Sequence, residues 1–165
     1  MAFPIIGDFD ERDLTKDKES LKRSTTIRED FQDLRRILLR VNTSIQNLKE
    51  VVSQRNYIYE VEYKRLIKVN LQHIGEDLKS ISNLINIVII KLQNSLDIMN
   101  KKVFEELLYK ALYMVINLIK ETETIENYIN RDQSDSALLD NYIDNAIRTI
   151  INVWNIVINE IYDYF

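Results

Sequence analysis

Apolar residues between positions 27 and 52 recur at alternating intervals of four and three. This spacing places them in one row along a helix, and a row sustained over more than three heptads indicates lengthwise packing against other helices. The row consists of Ile27, Phe31, Leu34, Leu38, Val41, Ile45, Leu48 and Val52. It starts within Thr26-Ile27-Arg28-Glu29, which fits a capping box. We therefore predict a first helix over 27–55.

Three further apolar rows follow, each out of phase with the one before it. The second runs from Ile67 to Leu92 and on to Met99, the third from Phe104 to Ile129, and the fourth from Leu139 to Tyr164. Where the phase is lost we expect a turn, and the polar stretch 130–135 has the composition of a loop. These breaks predict helices over 57–100, 102–130 and 136–164, with a kink near Gly75 left open.

The scarcity of turn residues points to the same fold class. The chain has two glycines and one proline in 165 residues, whereas hairpins and α/β crossovers need turn residues at short intervals. The third and fourth helices carry a second apolar row, which a single partner helix cannot cover. We predict an all-α bundle of about four long amphipathic helices with coiled-coil-like heptad seams over 26–165, preceded by an extended N-terminal arm, 1–25.

Residues that carry catalysis are scarce. The chain has no cysteine, and its one histidine, His73, lies outside any HExxH motif,. No phosphate-binding glycine motif is present. We therefore expect no enzyme, no metal, no cofactor and no small-molecule substrate.

The expected location follows from the absence of a long apolar run. No stretch approaches the roughly 20 apolar residues of a membrane span, and no signal peptide is evident. We expect a protein that is soluble and intracellular, or that lies within a virus particle assembled inside a host cell. The viral context is suggested only by the abundance of Ile, Asn and Tyr, residues encoded by A/T-rich codons.

Both chain ends and one face of the fourth helix are candidate partner-binding surfaces. The ends carry apolar anchors of the kind that fill pockets on a partner. The helix face is polar but nearly uncharged, as interface cores are; codon bias toward Asn is the other explanation, and the ends could instead fold onto their own bundle. The candidate residues are Phe3, Pro4, Ile5, Ile6, Asn141, Asn145, Asn152, Asn155, Asn159, Tyr162 and Phe165.

A stripe of arginines on the first helix could contact a phosphate backbone. Its members are Arg28, Arg35, Arg36 and Arg40. Net charge is −3 over 1–19, +6 over 20–102 and −7 over 103–165, within an overall charge of −4. The favoured interpretation is therefore that these arginines pair with acids on helices three and four.

The function expected from these features is that of a non-catalytic structural or scaffold subunit of a larger protein assembly, such as a virus or phage particle. Its partners would be other protein subunits, of the same or a different chain, and its N-terminal arm would dock on a neighbour. The first alternative is a regulatory adaptor that binds a partner helix or protein. The second is a nucleic-acid-binding protein that uses the basic first helix.

Overall fold

The first helix, α1, extends from Ile27 to Ser53 in the computed structural model, which describes residues 26–96, 98–131 and 136–165. The threonine half of the predicted capping box is present: the Glu29 main-chain N–H donates to Thr26 Oγ1 at 3.1 Å. The Thr26 hydroxyl in turn donates to the Glu29 carboxylate at 3.2 Å. The capping residues thus satisfy one of the main-chain donors that a helix start leaves without an intrahelical partner.

Three more long helices follow α1. They are α2 (Glu60–Gln93), reached through a 3₁₀ turn (Arg55–Tyr57), then α3 (Lys101–Asn130), and α4 (Ser136–Trp154), which continues as a π-helix (Asn155–Ile161) and a 3₁₀ turn (Tyr162–Tyr164). No strand occurs in the parts of the chain that the structure describes. The predicted all-α class, with about four long helices, is confirmed. The predicted arm, 1–25, lies outside the described residues.

Consecutive helices are antiparallel, and α4 returns to pack against α1. The start of α1 meets the end of α2 through Asp30 and Lys91. The end of α3 meets α2 through Glu123 and Lys79. The chain end contacts the start of α1, since Arg28 bonds the Phe165 carbonyl. Each helix therefore has two neighbours around a shared core, as in an up-and-down four-helix bundle.

The predicted apolar rows form this core. The largest fully buried side chains include Phe31, Leu34 and Leu38 from α1, and Leu71, Ile74 and Leu78 from α2. The second row of α4 is also largely buried, including Trp154 and Ile161. In α3 the second row is covered only in part, because Leu112 is buried whereas Ile116 remains 37% exposed.

The end of α2 differs from its predicted position. The predicted extension to residue 100 is wrong, because the helix ends at Gln93. Lys101 caps this end: its ammonium group donates to the carbonyl of Gln93 at 2.8 Å and to that of Ser95 at 3.0 Å. A cation at a helix C-terminus satisfies carbonyls that lack intrahelical donors. Met99, which continued the predicted row, lies in the connection and is 84% exposed.

Gly75 lies within α2 and the helix continues through it. It is buried, and a Cβ built at this position would lie 3.4 Å from Glu126 Oε1 and 3.9 Å from Thr122 Cγ2 of α3. A methyl group at position 75 would therefore be in ordinary van der Waals contact with α3.

The π-helical segment at the end of α4 buries three consecutive residues, Ile156, Val157 and Ile158. Successive residues of an α-helix point about 100° apart, so three in a row span a wide arc. This segment packs against both α1 and α3, and the wider helix serves both contacts,.

Candidate interaction surfaces

Two of the four candidate arginines form ion pairs on the α1–α2 side of the bundle. Arg40 donates from Nε to Asp77 Oδ1 at 2.9 Å, and its Nη2 lies 2.8 Å from the same oxygen. Arg36 Nη2 lies 2.7 Å from Asp33 Oδ1, one turn earlier in α1. The expected acids on helices three and four are not these partners, because Asp33 belongs to α1 and Asp77 to α2.

The other two candidate arginines contact the C-terminal helix. Arg28 donates to the Phe165 main-chain carbonyl at 2.8 Å. The Arg35 guanidinium carbon lies 5.8 Å from the centroid of the Trp154 ring, within cation–π range,. All four guanidinium groups therefore make contacts within the bundle.

A buried acid at the start of α1 was not identified from the sequence. Asp30 is 1% exposed, and Lys91 Nζ of α2 lies 2.6 Å from its Oδ2. Its place in the first turn of α1 also favours a negative charge. The sequence did contain a signal for its burial, because Asp30 directly precedes Phe31 of the apolar row. A residue next to that row lies at the edge of the surface that the neighbouring helix covers.

The C-terminal residues pack on their own bundle. Phe31 stacks on Tyr162 with ring centroids 5.6 Å apart and lies 5.5 Å from the Phe165 ring. Phe104 of α3 contacts Tyr164 at 5.3 Å and Phe165 at 6.1 Å. Tyr162 and Phe165, both predicted partner-binding residues, are half-buried here, and Tyr164 remains exposed.

The asparagines of α4 do not form one uniform surface. Asn141 and Asn152 are exposed, whereas Asn145, Asn155 and Asn159 are half-buried. The Asn145 amide donates to the carboxylate of Glu121 in α3 at 2.6 Å, and the Asn159 amide donates to Asn155 Oδ1 at 2.9 Å. Three of the five amides thus make contacts within the chain.

The bundle end at which α1 begins carries several exposed apolar side chains next to a groove. Leu96 is 96% exposed and Met99 84% exposed, both in the α2–α3 connection, and Val103 and Tyr164 are exposed as well. Beside them is an open groove of about 620 Å³, lined by Thr26, Ile27, Arg28, Lys91, Asn94, Ser95, Ile98 and Phe165. We call this region the α1-start end. The candidate anchors Phe3, Pro4, Ile5 and Ile6 lie outside the described residues.

A second exposed surface, not identified from the sequence, lies along α2 and α3. Tyr109, Tyr113 and Ile116 are all exposed and recur at intervals of four and three, which was the signal available in the sequence. Gln93 of α2 donates to the Tyr109 hydroxyl at 3.4 Å, which joins the two helices on this side. We define the outer α2–α3 face as Asn83, Asn86, Ile90, Gln93, Tyr109, Tyr113 and Ile116, all of them exposed and uncharged.

Metal-ligating side chains do not form a cluster among the described residues. No group of three or more His, Asp or Glu side chains in 26–96, 98–131 and 136–165 could hold a metal ion. A cavity of about 250 Å³ is lined by Lys68, Leu71, Gln72, Glu126 and Asn130. Burial raises the pKa of Glu126, and nearby Lys79 partly opposes this.

Comparison with known protein families, curated proteins and solved structures found no match for this chain. Of the helices in the described ranges, none combines the length and apolar character that crossing a membrane would require.

Proposed function

We propose that this chain is a non-catalytic structural subunit that assembles with other protein subunits through its α1-start end. The observation that carries the proposal is that Leu96 and Met99, both in the α2–α3 connection and both largely exposed, occur at the same end of the bundle as the open groove. A connection between helices is normally polar. Exposed aliphatic side chains of this size add nothing to the fold, whereas covering them with a partner is favourable.

The groove at the same end supports the proposal. It combines apolar surface from Ile27, Ile98 and Phe165 with the basic side chains of Arg28 and Lys91. An interface core of this kind suits an apolar anchor with neighbouring acidic groups. The N-terminal segment has this composition, with Phe3-Pro4-Ile5-Ile6 followed by a net-acidic stretch, and it joins the bundle at Thr26. In the proposed assembly this segment docks on a neighbouring subunit.

The test is the absolute mass of the purified full chain by size-exclusion chromatography with light scattering, over a range of concentrations. We expect a discrete oligomer or a growing polymer. The double variant Leu96→Lys/Met99→Lys should lower the mass while the helical circular dichroism stays unchanged, because neither side chain is in the core. The matched control is Tyr59→Lys/Val61→Lys, which alters two residues of similar exposure (90% and 83%) at the opposite end. A monomer at all concentrations, or equal masses for both double variants, would contradict the proposal.

Deleting residues 1–25 separates a scaffold from a regulatory adaptor. A scaffold that docks by its N-terminal segment should lose assembly and keep its helical signal. An adaptor that binds a partner helix in the groove should keep both its fold and its partner. The proposal does not depend on a virus or phage context, which rests on composition alone.

The nucleic-acid alternative has less support. Arg28, Arg35, Arg36 and Arg40 contact a carbonyl, an aromatic ring and two carboxylates of the same chain. Binding to phosphates would compete with these contacts for the orientation of the guanidinium groups. The discriminating measurement is binding of a labelled oligonucleotide at rising salt concentration, since phosphate contacts weaken steeply with salt. Salt-sensitive binding that is lost on changing Arg35, Arg36 and Arg40 to Glu would favour this alternative.

A further inference from the structure

We propose that the outer α2–α3 face binds a second copy of this chain, antiparallel and related by a two-fold axis through Tyr113. The inference rests on the proposed function, because it names one partner of an assembling subunit. It concerns the side of the bundle rather than the α1-start end, so the two surfaces can be tested separately.

The centre of the face is apolar. Tyr113 is 68% exposed and Ile90 56% exposed. The Gln93–Tyr109 and Lys79–Glu123 contacts fix the register of the two antiparallel helices, and this register places Ile90 level with residues 112–113. An aromatic and an aliphatic side chain therefore stand at the same height, one on each helix, where a partner would cover both.

The polar groups around this centre are of a kind that can hydrogen-bond with the same kinds of group on a second copy. Asn83, Asn86 and Gln93 carry amides, and Tyr109 and Tyr113 carry hydroxyls. Amides and hydroxyls both donate and accept hydrogen bonds. A two-fold interface brings the same patch against itself, so it needs groups that can play both roles. A patch of one charge sign would repel its own copy.

The exposed charges that border the stripe on α3 are complementary under the same symmetry. Glu106 lies seven positions before Tyr113 and Lys120 seven positions after it, and both are exposed. Positions 106, 109, 113, 116 and 120 continue one stripe at intervals of three and four. A two-fold axis through Tyr113 therefore sets Glu106 of one copy opposite Lys120 of the other, twice in each dimer. A parallel arrangement would set like charges together, which is unfavourable.

Residues farther from the axis fit the same arrangement. Lys102 lies eleven positions before Tyr113 and Glu123 ten positions after it, so these opposite charges also approach one another across the dimer. Lys110, beside the stripe, falls opposite Ile116 and Asn117 and meets no like charge. Opposite charges thus approach at Glu106–Lys120 and at Lys102–Glu123, and the like charges brought closest are the half-buried Glu105 of one copy and Glu121 of the other.

The size of the apolar patch indicates a weak dimer. Two half-exposed tyrosines and two partly exposed isoleucines present on the order of 400 Å² of apolar surface. A standard interface buries about 800 Å² from each partner, and the amides and flanking charges supply the remainder. We therefore expect dimerisation that depends on concentration.

The experiment is sedimentation equilibrium of the full chain and of charge-reversed variants. Glu106→Lys alone and Lys120→Glu alone should each raise the dimer Kd by about tenfold or more, because each sets like charges together at two symmetric places. The combined Glu106→Lys/Lys120→Glu variant should return the Kd to within about threefold of wild type. Tyr113→Arg should abolish the dimer. Lys49→Glu, on an exposed position of α1, is the matched control and should leave the Kd unchanged.

Recovery in the combined variant is the decisive result, since loss in a single variant has other causes. A combined variant as weak as the single ones, or a dimer insensitive to Tyr113→Arg, overturns the inference. The same series includes Leu96→Lys/Met99→Lys. If that variant reduces assembly while Tyr113→Arg does not, the dimer face is refuted and the proposed function stands. If only Tyr113→Arg reduces assembly, the α1-start end is refuted as the assembling surface.

Discussion

The α1–α2 and α3–α4 interfaces are cross-linked by different chemistry. Between α1 and α2, the pairs Asp30–Lys91 and Arg40–Asp77 place charged groups at two levels of the bundle. Between α3 and α4, the fully buried contact is neutral, with the Tyr142 hydroxyl 2.7 Å from Thr122 Oγ1. Thr122 donates its own proton to the Leu118 carbonyl, so Tyr142 is the donor in this contact. At a half-buried level, the Asn145 amide also donates to the Glu121 carboxylate at 2.6 Å.

This difference bears on how each pair of helices keeps its register. The apolar rows repeat every seven residues, so sliding one helix by a heptad would bury nearly the same side chains. A slide would separate a buried charge from its partner at a large cost, and a buried hydroxyl from its partner at a smaller one. We infer that the α1–α2 register is held more strictly than the α3–α4 register.

The largest effect is expected from breaking the central ion pair. Arg40→Met keeps much of the side-chain volume but leaves Asp77 buried without its guanidinium partner, and we expect the free energy of unfolding to fall by about 3 kcal/mol. Urea denaturation followed by circular dichroism measures it. The double variant Arg40→Met/Asp77→Leu should recover to within about 1 kcal/mol of wild type. A double variant no more stable than the single one would show that the pair matters through its shape and not its charge.

A smaller loss is expected at the neutral contact. Tyr142→Phe removes one buried hydrogen bond while Thr122 keeps its bond to Leu118, so we expect a loss of about 1 kcal/mol. If the loss of unfolding free energy equals that of Arg40→Met, the inference that α1–α2 is held more strictly than α3–α4 is wrong.

The same residue gives the α3–α4 interface a dependence on alkaline pH. Burial raises the pKa of Tyr142 above its ordinary value of about 10,. Because the folded-state pKa lies above the unfolded one, the stabilisation is complete below pH of about 10 and is lost as pH rises above it. The unfolding free energy of Tyr142→Phe should therefore fall less steeply above that pH. Tyr113→Phe, at an exposed position, should keep the wild-type slope.

At the α2–α3 interface we expect a gain. Gly75→Ala improves helix propensity by up to about 1 kcal/mol. The new methyl group would lie 3.4 Å from Glu126 Oε1, the end of a flexible side chain that can move aside. Thermal unfolding monitored by circular dichroism checks the sign. A lower melting temperature would show that Glu126 is held in place and that this interface tolerates no added volume.

The smallest effect is expected between α1 and α4. Arg35→Ala removes a partly solvated cation–π contact, which is worth about 0.5 kcal/mol. Trp154 is the only tryptophan of the chain, so its emission reports directly on the loss of the overlying guanidinium. Arg148→Ala, at an exposed position of α4, is the control. An emission spectrum unchanged by Arg35→Ala would rule out the contact.

The apolar spacing was sufficient to predict the fold class, because it shows which side of each helix must be buried. Leu34 and Ile74 are buried whichever helix covers their row, so the identity of the neighbour was not needed. The spacing was not sufficient for the end of α2. Met99 continues the row, but Lys101 caps the carbonyls of Gln93 and Ser95, and an end set by a side chain from beyond the helix carries no periodic signal. The partner of Arg40 was likewise unpredictable, since Asp77 is distant in sequence and only the register of α1 on α2 brings the two together.

Candidate surfaces were predictable only in part. The exposed tyrosines of α3 share the spacing of a buried row, and spacing alone does not distinguish a row facing the core from one facing outward. The asparagines of α4 form a stripe in sequence, but neighbouring helices cover Asn145 and leave Asn152 exposed. Composition identifies such residues, whereas their exposure depends on the position of adjacent helices.

The π-helical segment Asn155–Ile161 affects how the last aromatic side chains of the chain are oriented around the axis of α4. A π-helix has more residues per turn than an α-helix, so the residues after it are rotated relative to an uninterrupted α-helix, by about 100° for each extra residue. Deleting one residue here would let the α-helix continue and would leave Tyr162 and Phe165 near their present orientation, whereas deleting one residue from Ser136–Trp154 would rotate them by about 100° away from Phe31,. The π-helical segment is therefore the place where α4 accommodates one residue more or fewer, and we expect a one-residue deletion to be tolerated here better than in Ser136–Trp154.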